Sequence, residues 1–256
     1  GEQTMKIALL ADIHGNDLAL EAVLNDIEAR GGADAYWVLG DLVAIGPAPI
    51  RVLEQLQRLP NVRIIRGNTD RYVFSGERPS PTFDDVRADL SLLQQLVEVE
   101  ADFTWTQGAL SVTGWLEWLS DLPLDFQAEL PDGTRVLCVH AAPDDDDGPG
   151  IKQEMSEQEI MERTAGCEEK LLCVGHTHRP FSIYVDGRHI INPGSISNPI
   201  GKDPSACYAM ITADEASYDV EYFRVDYDQQ AVIDTLYRIN HPGRNYVSKF
   251  LRGEMP

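Results

Sequence analysis

Hydrophobic residues fall along this chain in short continuous runs that alternate with longer stretches of helical spacing. Met5 to Ala11 is an apolar run broken only by Lys6, as expected of a strand covered on both faces, and it leads into an amphipathic stretch from Asp17 to Arg30 that Gly31 and Gly32 stop. Ala35 to Leu39 predicts a second buried strand, Ile50 to Arg58 a second helix and Val62 to Arg66 a third strand. A βαβαβ series of this kind implies right-handed parallel crossovers. From Gly76 to Leu122 the rhythm changes: Pro79 and Pro81 open a segment whose runs LSLLQQLVEV and ALSVTGWLEWLSDL predict two helices flanking a crevice. Leu124 to Val139 predicts a hairpin turning at PDGT, and Ser156 with Glu159 matches a capping box for a helix to Thr164. Strands are predicted again at 171–174, 181–185, 189–192, 208–212 and 218–224, then a helix at 229–239. So many strands suggest two sheets face to face with helices outside, in one α/β domain over 5–256 with a helical insertion at about 76–122. GEQT ahead of Met5 reads as an expression remnant.

Five of the apolar runs end on residues that bind metals. KIALLAD carries Asp12 and then His14, YWVLGD ends on Asp41, VRIIRGN on Asn68, VLCVH on His140, and LLCVGHTH on His176 and His178. Four of the six histidines stand here. Residues at the carboxyl ends of strands in one α/β sheet meet in one crevice. The two-residue offset within Asp12-x-His14 and His176-x-His178 aims each pair to one side of an extended backbone. Imidazole with carboxylate suits Mn, Fe, Ni or Zn. Seven groups exceed what one ion takes and suit two ions about 3.5–4 Å apart, the arrangement used in phosphate-ester hydrolysis.

Composition removes several alternatives. With 21 basic against 42 acidic residues, a formal charge of −21, the chain is a poor partner for nucleic acid or an anionic membrane. Cys138, Cys167, Cys173 and Cys207 show no CxxC spacing, which points to reduced thiols and a cytoplasmic location. No run approaches the ~18 apolar residues that span a bilayer. Oligomeric state is not readable.

DIHGN at 12–16, GD at 40–41, GN at 67–68, His140, GHTH at 175–178 and the following INPGSISNP resemble, in order and spacing, the calcineurin-like metallophosphoesterases, bacterial phosphodiesterase-like branch. The resemblance implies a four-layer αββα sandwich. It also implies that Asp12, His14 and His178 hold one ion, that Asn68, His140 and His176 hold the second, and that Asp41 bridges them. A hydroxide between the ions would be the nucleophile, with Asp41, Asn68 and His140 at the reacting centre and manganese the expected metal. Many members read GNH, whose histidine protonates the leaving group; this chain reads GNTD, with Thr69 there. General acid help is worth about 10²–10⁴-fold. Its loss favours phosphodiesters or nucleotides, small-molecule substrates, over alkyl monoesters, unless His189 or His241 supplies the proton. A protein serine/threonine phosphatase, a dinucleoside polyphosphate hydrolase and a non-catalytic scaffold like the retromer subunit of this fold are the alternatives.

Other residues near the motifs have two readings each. Asn16 orients substrate or makes a turn. Arg71 and Arg179 bind phosphate oxygens or form surface ion pairs. The run Asp144 to Asp147 reads as a solvated loop, and Trp105, Trp115 and Trp118 as packing within the helical segment.

Overall fold

The computed structural model describes residues 4–254; GEQT, apart from Thr4, lies outside the described residues. Strands β1 (Met5–Leu10), β2 (Ala35–Val38) and β3 (Val62–Ile64) alternate with helices α1 (Asp17–Ala29) and α2 (Pro49–Gln57). Their pairing is parallel, as the βαβαβ pattern predicts. Strands β9 (Ala206–Ala213) and β10 (Tyr218–Val225) complete this sheet on its other side, antiparallel, in the order β10-β9-β1-β2-β3. The second sheet contains β4 (Asp125–Glu129), β5 (Arg135–Val139), β6 (Leu171–Cys173), β7 (Phe181–Val185) and β8 (Arg188–Asn192), in the order β4-β5-β6-β8-β7.

Strand alternation explains the layers. Ile7, Leu9, Ala35 and Trp37 of the first sheet face Phe126, Val136, Cys138, Leu171 and Cys173 of the second and form one core between the sheets. Ala8, Leu10, Tyr36 and Val38 point the other way, under α1 and α2. Leu137, Val139, Leu172 and Val174 cover the outer face of the second sheet beneath Ile160 of α7 (Glu157–Arg163). The result is the four-layer αββα sandwich, with both faces of β1 sealed from Ile7 onward, which is why its sequence is apolar beyond Lys6.

The hairpin at PDGT forms, with Gly133 at φ 83°, and Ser156 and Glu159 make the predicted capping box. The segment before the hairpin departs from expectation. Helix α3 (Asn68–Ser75) starts on the GN motif itself, α4 (Phe83–Ala88) follows, and α5 (Leu93–Ser111) runs unbroken through Gly108. The break comes at Gly114, at φ 79°, before α6 (Trp115–Ser120). Trp115 and Trp118 pack edge to face at 5.3 Å against the helical core, as expected, whereas Trp105 lies against His241. Helix α8 (Gln229–Arg238) was predicted; α9 (Arg244–Leu251), which buries Val247 and Leu251, was not. No helix among the described residues is long and apolar enough to cross a membrane. The four cysteines are free thiols.

Candidate metal centre

The carboxyl ends of β1, β2, β3, β5 and β6 converge at one edge of the sandwich, and all seven side chains named from the motifs meet there. Donor atoms of Asp12, His14, Asp41 and His178 lie within 4.8 Å of one another, and so do those of Asp41, His140 and His176. Asp41 belongs to both groups: its Oδ2 is 3.6 Å from His14 Nε2 and 3.4 Å from His140 Nε2. Asn68 joins the second group, with Oδ1 3.1 Å from both His140 Nε2 and His176 Nδ1. His178 Nε2 stands 3.4 Å from Asp12 Oδ1.

The backbone is bent to bring them there. Asp12, His14, Asp41, His176 and His178 all have φ between 46° and 67°, a left-handed conformation that non-glycine residues seldom adopt. Such strain persists only where the surroundings impose it, and it gathers at functional sites. Two glycines allow the loops to touch. A Cβ on Gly40 would sit 2.4 Å from Gly67 N, and one on Gly67 would sit 2.1 Å from Asp41 Oδ1. The GD and GN motifs therefore need glycine because the exits of β2 and β3 pack backbone to backbone.

Tautomers follow from the far side of each ring. His140 Nδ1 lies 2.6 Å from Leu39 O, His178 Nδ1 2.8 Å from Asn198 O and His176 Nε2 2.8 Å from Gly148 O. A carbonyl only accepts, so these nitrogens carry the hydrogens and the opposite ones are left as bare lone pairs. Two of those lone pairs face other acceptors: His140 Nε2 is 3.3 Å from His176 Nδ1, and both are 3.1 Å from Asn68 Oδ1. Opposed acceptors at such distances repel unless a cation lies between them, so the donor set fits divalent metal. Burial first of all lowers His14, to about 4, which keeps it neutral as a ligand must be. For His140 burial pulls the same way, but Asp41 against its Nε2 outweighs it and raises the ring to about 10; with no metal, a proton takes the cation's place.

Further residues brace the centre from behind, and of these Asp70 was not legible in the sequence. Asp70 accepts from Leu42 N and Gly67 N, both at 2.9 Å, and ties the two loops together; burial and the nearby Asp41 push it up to about 7. Ser195 Oγ donates to Asp12 O, and Asn192 bridges Gly175 O and Gly194 N, so INPGSISNP is a brace for the GHTH loop. Tethers of this kind fix the orientation of metal-binding side chains.

The remaining candidates separate. Asn16 is the cap of α1: Oδ1 accepts from Ala19 N and Nδ2 donates to Tyr227 Oη, which makes it the turn residue of the two readings. Arg71 is occupied by carboxylates, Asp146 at 3.0 Å, Asp147 at 3.1 Å and Glu77, so it is an ion-pair residue and not a free phosphate ligand. The Asp144 to Asp147 run is a solvated loop only in part: Asp144 and Asp145 are exposed, whereas Asp146 is buried between Arg66 and Arg71. Arg179 is exposed, 3.8 Å from Glu154, and lines a cleft of about 610 Å³ beside His176 with Lys152 and Arg224. His189 is held by Ser182 and Tyr218, and His241 caps Gly243 N and packs on Trp105; neither joins the centre.

The chain is 30% identical over 237 residues to an uncharacterized protein of Methanocaldococcus jannaschii, covering 87% of this chain and 88% of that one. It is 32% identical over 154 residues to the symmetrical bis(5'-nucleosyl)-tetraphosphatase of Cronobacter sakazakii, covering 54% of this chain and about half, 53%, of that enzyme. Among solved structures, a hypothetical protein of Pyrococcus horikoshii superposes with a TM-score of 0.80 at 22% identity, over 98% and 99% of the two chains. A metallophosphoesterase of Sphaerobacter thermophilus superposes with a TM-score of 0.76 at 26% identity, over 99% and 100%. The model of the calcineurin-like phosphoesterase superfamily domain matches residues 5–216, and the chain belongs to that superfamily of phosphate-ester hydrolases.

Proposed function

We propose that this chain hydrolyses phosphate esters at a centre of two divalent cations, with phosphodiesters and nucleotides favoured over alkyl monoesters. The observation that carries the reading is Asp41, whose one carboxylate is common to two donor groups. Asp12, His14 and His178 would hold one ion, Asn68, His140 and His176 the other, with Asp41 between; manganese, iron, nickel and zinc all accept such nitrogen and oxygen donors. When bound, ions of this kind polarise a phosphoryl oxygen and activate water near neutral pH.

The chain's own residues do the rest. Asp70 and Ser195 keep the loops of Asp41 and Asp12 in place, and the carbonyls of Leu39, Gly148 and Asn198 orient three of the four rings. Thr69, where a general acid would stand, offers only a hydroxyl, which cannot protonate a leaving group at neutral pH. Esters whose leaving group departs without a proton are therefore the preferred substrates. Lys152, Arg179 and Arg224 line the cleft beside His176 and outnumber its one carboxylate, Glu154, although Arg179 stands 3.8 Å from Glu154 and Arg224 3.2 Å from Asp203. That local charge suits a polyanion, and it favours a dinucleoside polyphosphate as the second reading.

Three substrates at equal manganese loading separate the readings: an aryl phosphodiester, a diadenosine polyphosphate and a phosphoserine peptide. The diester or the dinucleotide is expected to exceed the peptide by about 10²-fold or more in kcat/KM. Equal rates on all three would contradict the assignment.

A further inference from the structure

A second cavity, of about 290 Å³, opens between α5, the start of α9 and the loops that follow β2 and β3. That volume lies just below the usual range of ligand pockets, roughly 300–1,000 Å³, and suits a fragment the size of one planar ring system. Its walls are largely apolar, with Ile45, Val99, Phe103 and Tyr246 among them. Two buried polar side chains line it. Asp102, 7% exposed, accepts from Ile45 N through Oδ1 at 3.2 Å, which leaves Oδ2 as a second acceptor. Thr69, 8% exposed, has a buried hydroxyl with no partner. Leaving a hydroxyl buried and unsatisfied costs about 1–3 kcal/mol. A ligand that partners it would recover that energy.

The place of the cavity is as informative as its lining. Thr69 follows Asn68 directly, and its backbone N–H donates to Asp41 Oδ1 at 3.0 Å. One residue thus faces the metal centre with its backbone and the cavity with its side chain. Ile45, on the loop that leaves Asp41, stands at φ 83°, a strained conformation for a β-branched residue, and Asp102 holds its N–H.

We propose that this cavity receives the purine base of a nucleotide substrate, with Asp102 accepting a hydrogen bond from the exocyclic amine. The inference rests on the phosphoesterase reading above and names the substrate class within it. A purine has apolar faces for Val99 and Phe103, and adenine adds one exocyclic amine that can donate to the Asp102 carboxylate. Burial also drives the Asp102 carboxyl up to about 7.

Equilibrium binding of adenosine to the full chain tests this directly, with purine riboside, which lacks the amine, as the control. The wild type is expected to bind adenosine at least about tenfold more tightly than purine riboside. Asp102→Asn keeps an oxygen for Ile45 N but turns the second acceptor into a donor, and should erase that preference. Val99→Trp fills the cavity and should abolish adenosine binding. In kinetics, Asp102→Asn should lower by about tenfold the ratio of kcat/KM for the para-nitrophenyl ester of adenosine monophosphate to that for methyl para-nitrophenyl phosphate. Absence of adenosine binding, equal affinity for the two nucleosides, or equal losses on the two esters would overturn the proposal. Selective adenosine binding with neither ester hydrolysed would support the cavity and contradict the hydrolase reading instead.

Discussion

At the scale of single residues, the centre depends on atoms that have no room to move. Gly67, at an ordinary φ of −105°, is glycine for steric reasons alone, since a Cβ would overlap Asp41 Oδ1. Gly67→Ala should displace Asp41 and weaken manganese binding at both positions with the far-ultraviolet circular dichroism retained; unchanged metal affinity by calorimetry would refute the close approach. Asp102 carries a pH prediction. Its folded pKa is raised, above all by burial, from 3.8 to about 7, so its neutral form is compatible with folding. Stability is then fully present below about pH 4 and declines as pH rises through 7, by on the order of a few kcal/mol. Asp102→Asn should gain in melting temperature relative to wild type between pH 5 and 8, and a constant difference across that range would count against the shift.

At the scale of elements, the loops are bound to one another more than to the strands they leave. The extended backbone expected within Asp12-x-His14 and His176-x-His178 is not found, since all four residues take left-handed φ. The seven donor residues were legible because strand exits and motif order are properties of the sequence. The groups that orient them were not: Leu39 O, Gly148 O and Asn198 O are backbone carbonyls, and nothing in a side-chain pattern marks which of them meets a histidine. Helix α3 escaped notice because it begins on a ligand motif and lasts only eight residues. The two helices expected from the apolar runs between 90 and 122 became one long α5 with its neighbours because Gly108 faces open space while Gly114 takes the left-handed turn. Arg71 shows how charge next to a motif misleads: it links α3 to the loop of Asp146 and Asp147, and that loop supplies the carbonyl that orients His176. Arg71→Ala should therefore lower manganese affinity about tenfold, the low end for losses behind a metal centre. An unaltered affinity with a slower turnover would instead make Arg71 a substrate contact.

At the scale of the whole molecule, two sheets built from distant parts of the chain are joined at one edge by the same seven side chains. Asp12, His14, Asp41 and Asn68 come from the first sheet, His140, His176 and His178 from the second. Cations placed there would act as a staple across the sandwich, and ligands that bind only the folded state add stability by mass action. Chelation should lower the melting temperature, and manganese in excess should restore it; insensitivity to both would separate the fold from the metal. The central claim, that one carboxylate is shared by two cations, is tested most directly by anomalous diffraction from crystals grown with manganese. Two peaks about 3.5–4 Å apart, with Asp41 between them, are expected. A single peak, or two that do not share Asp41, would contradict it.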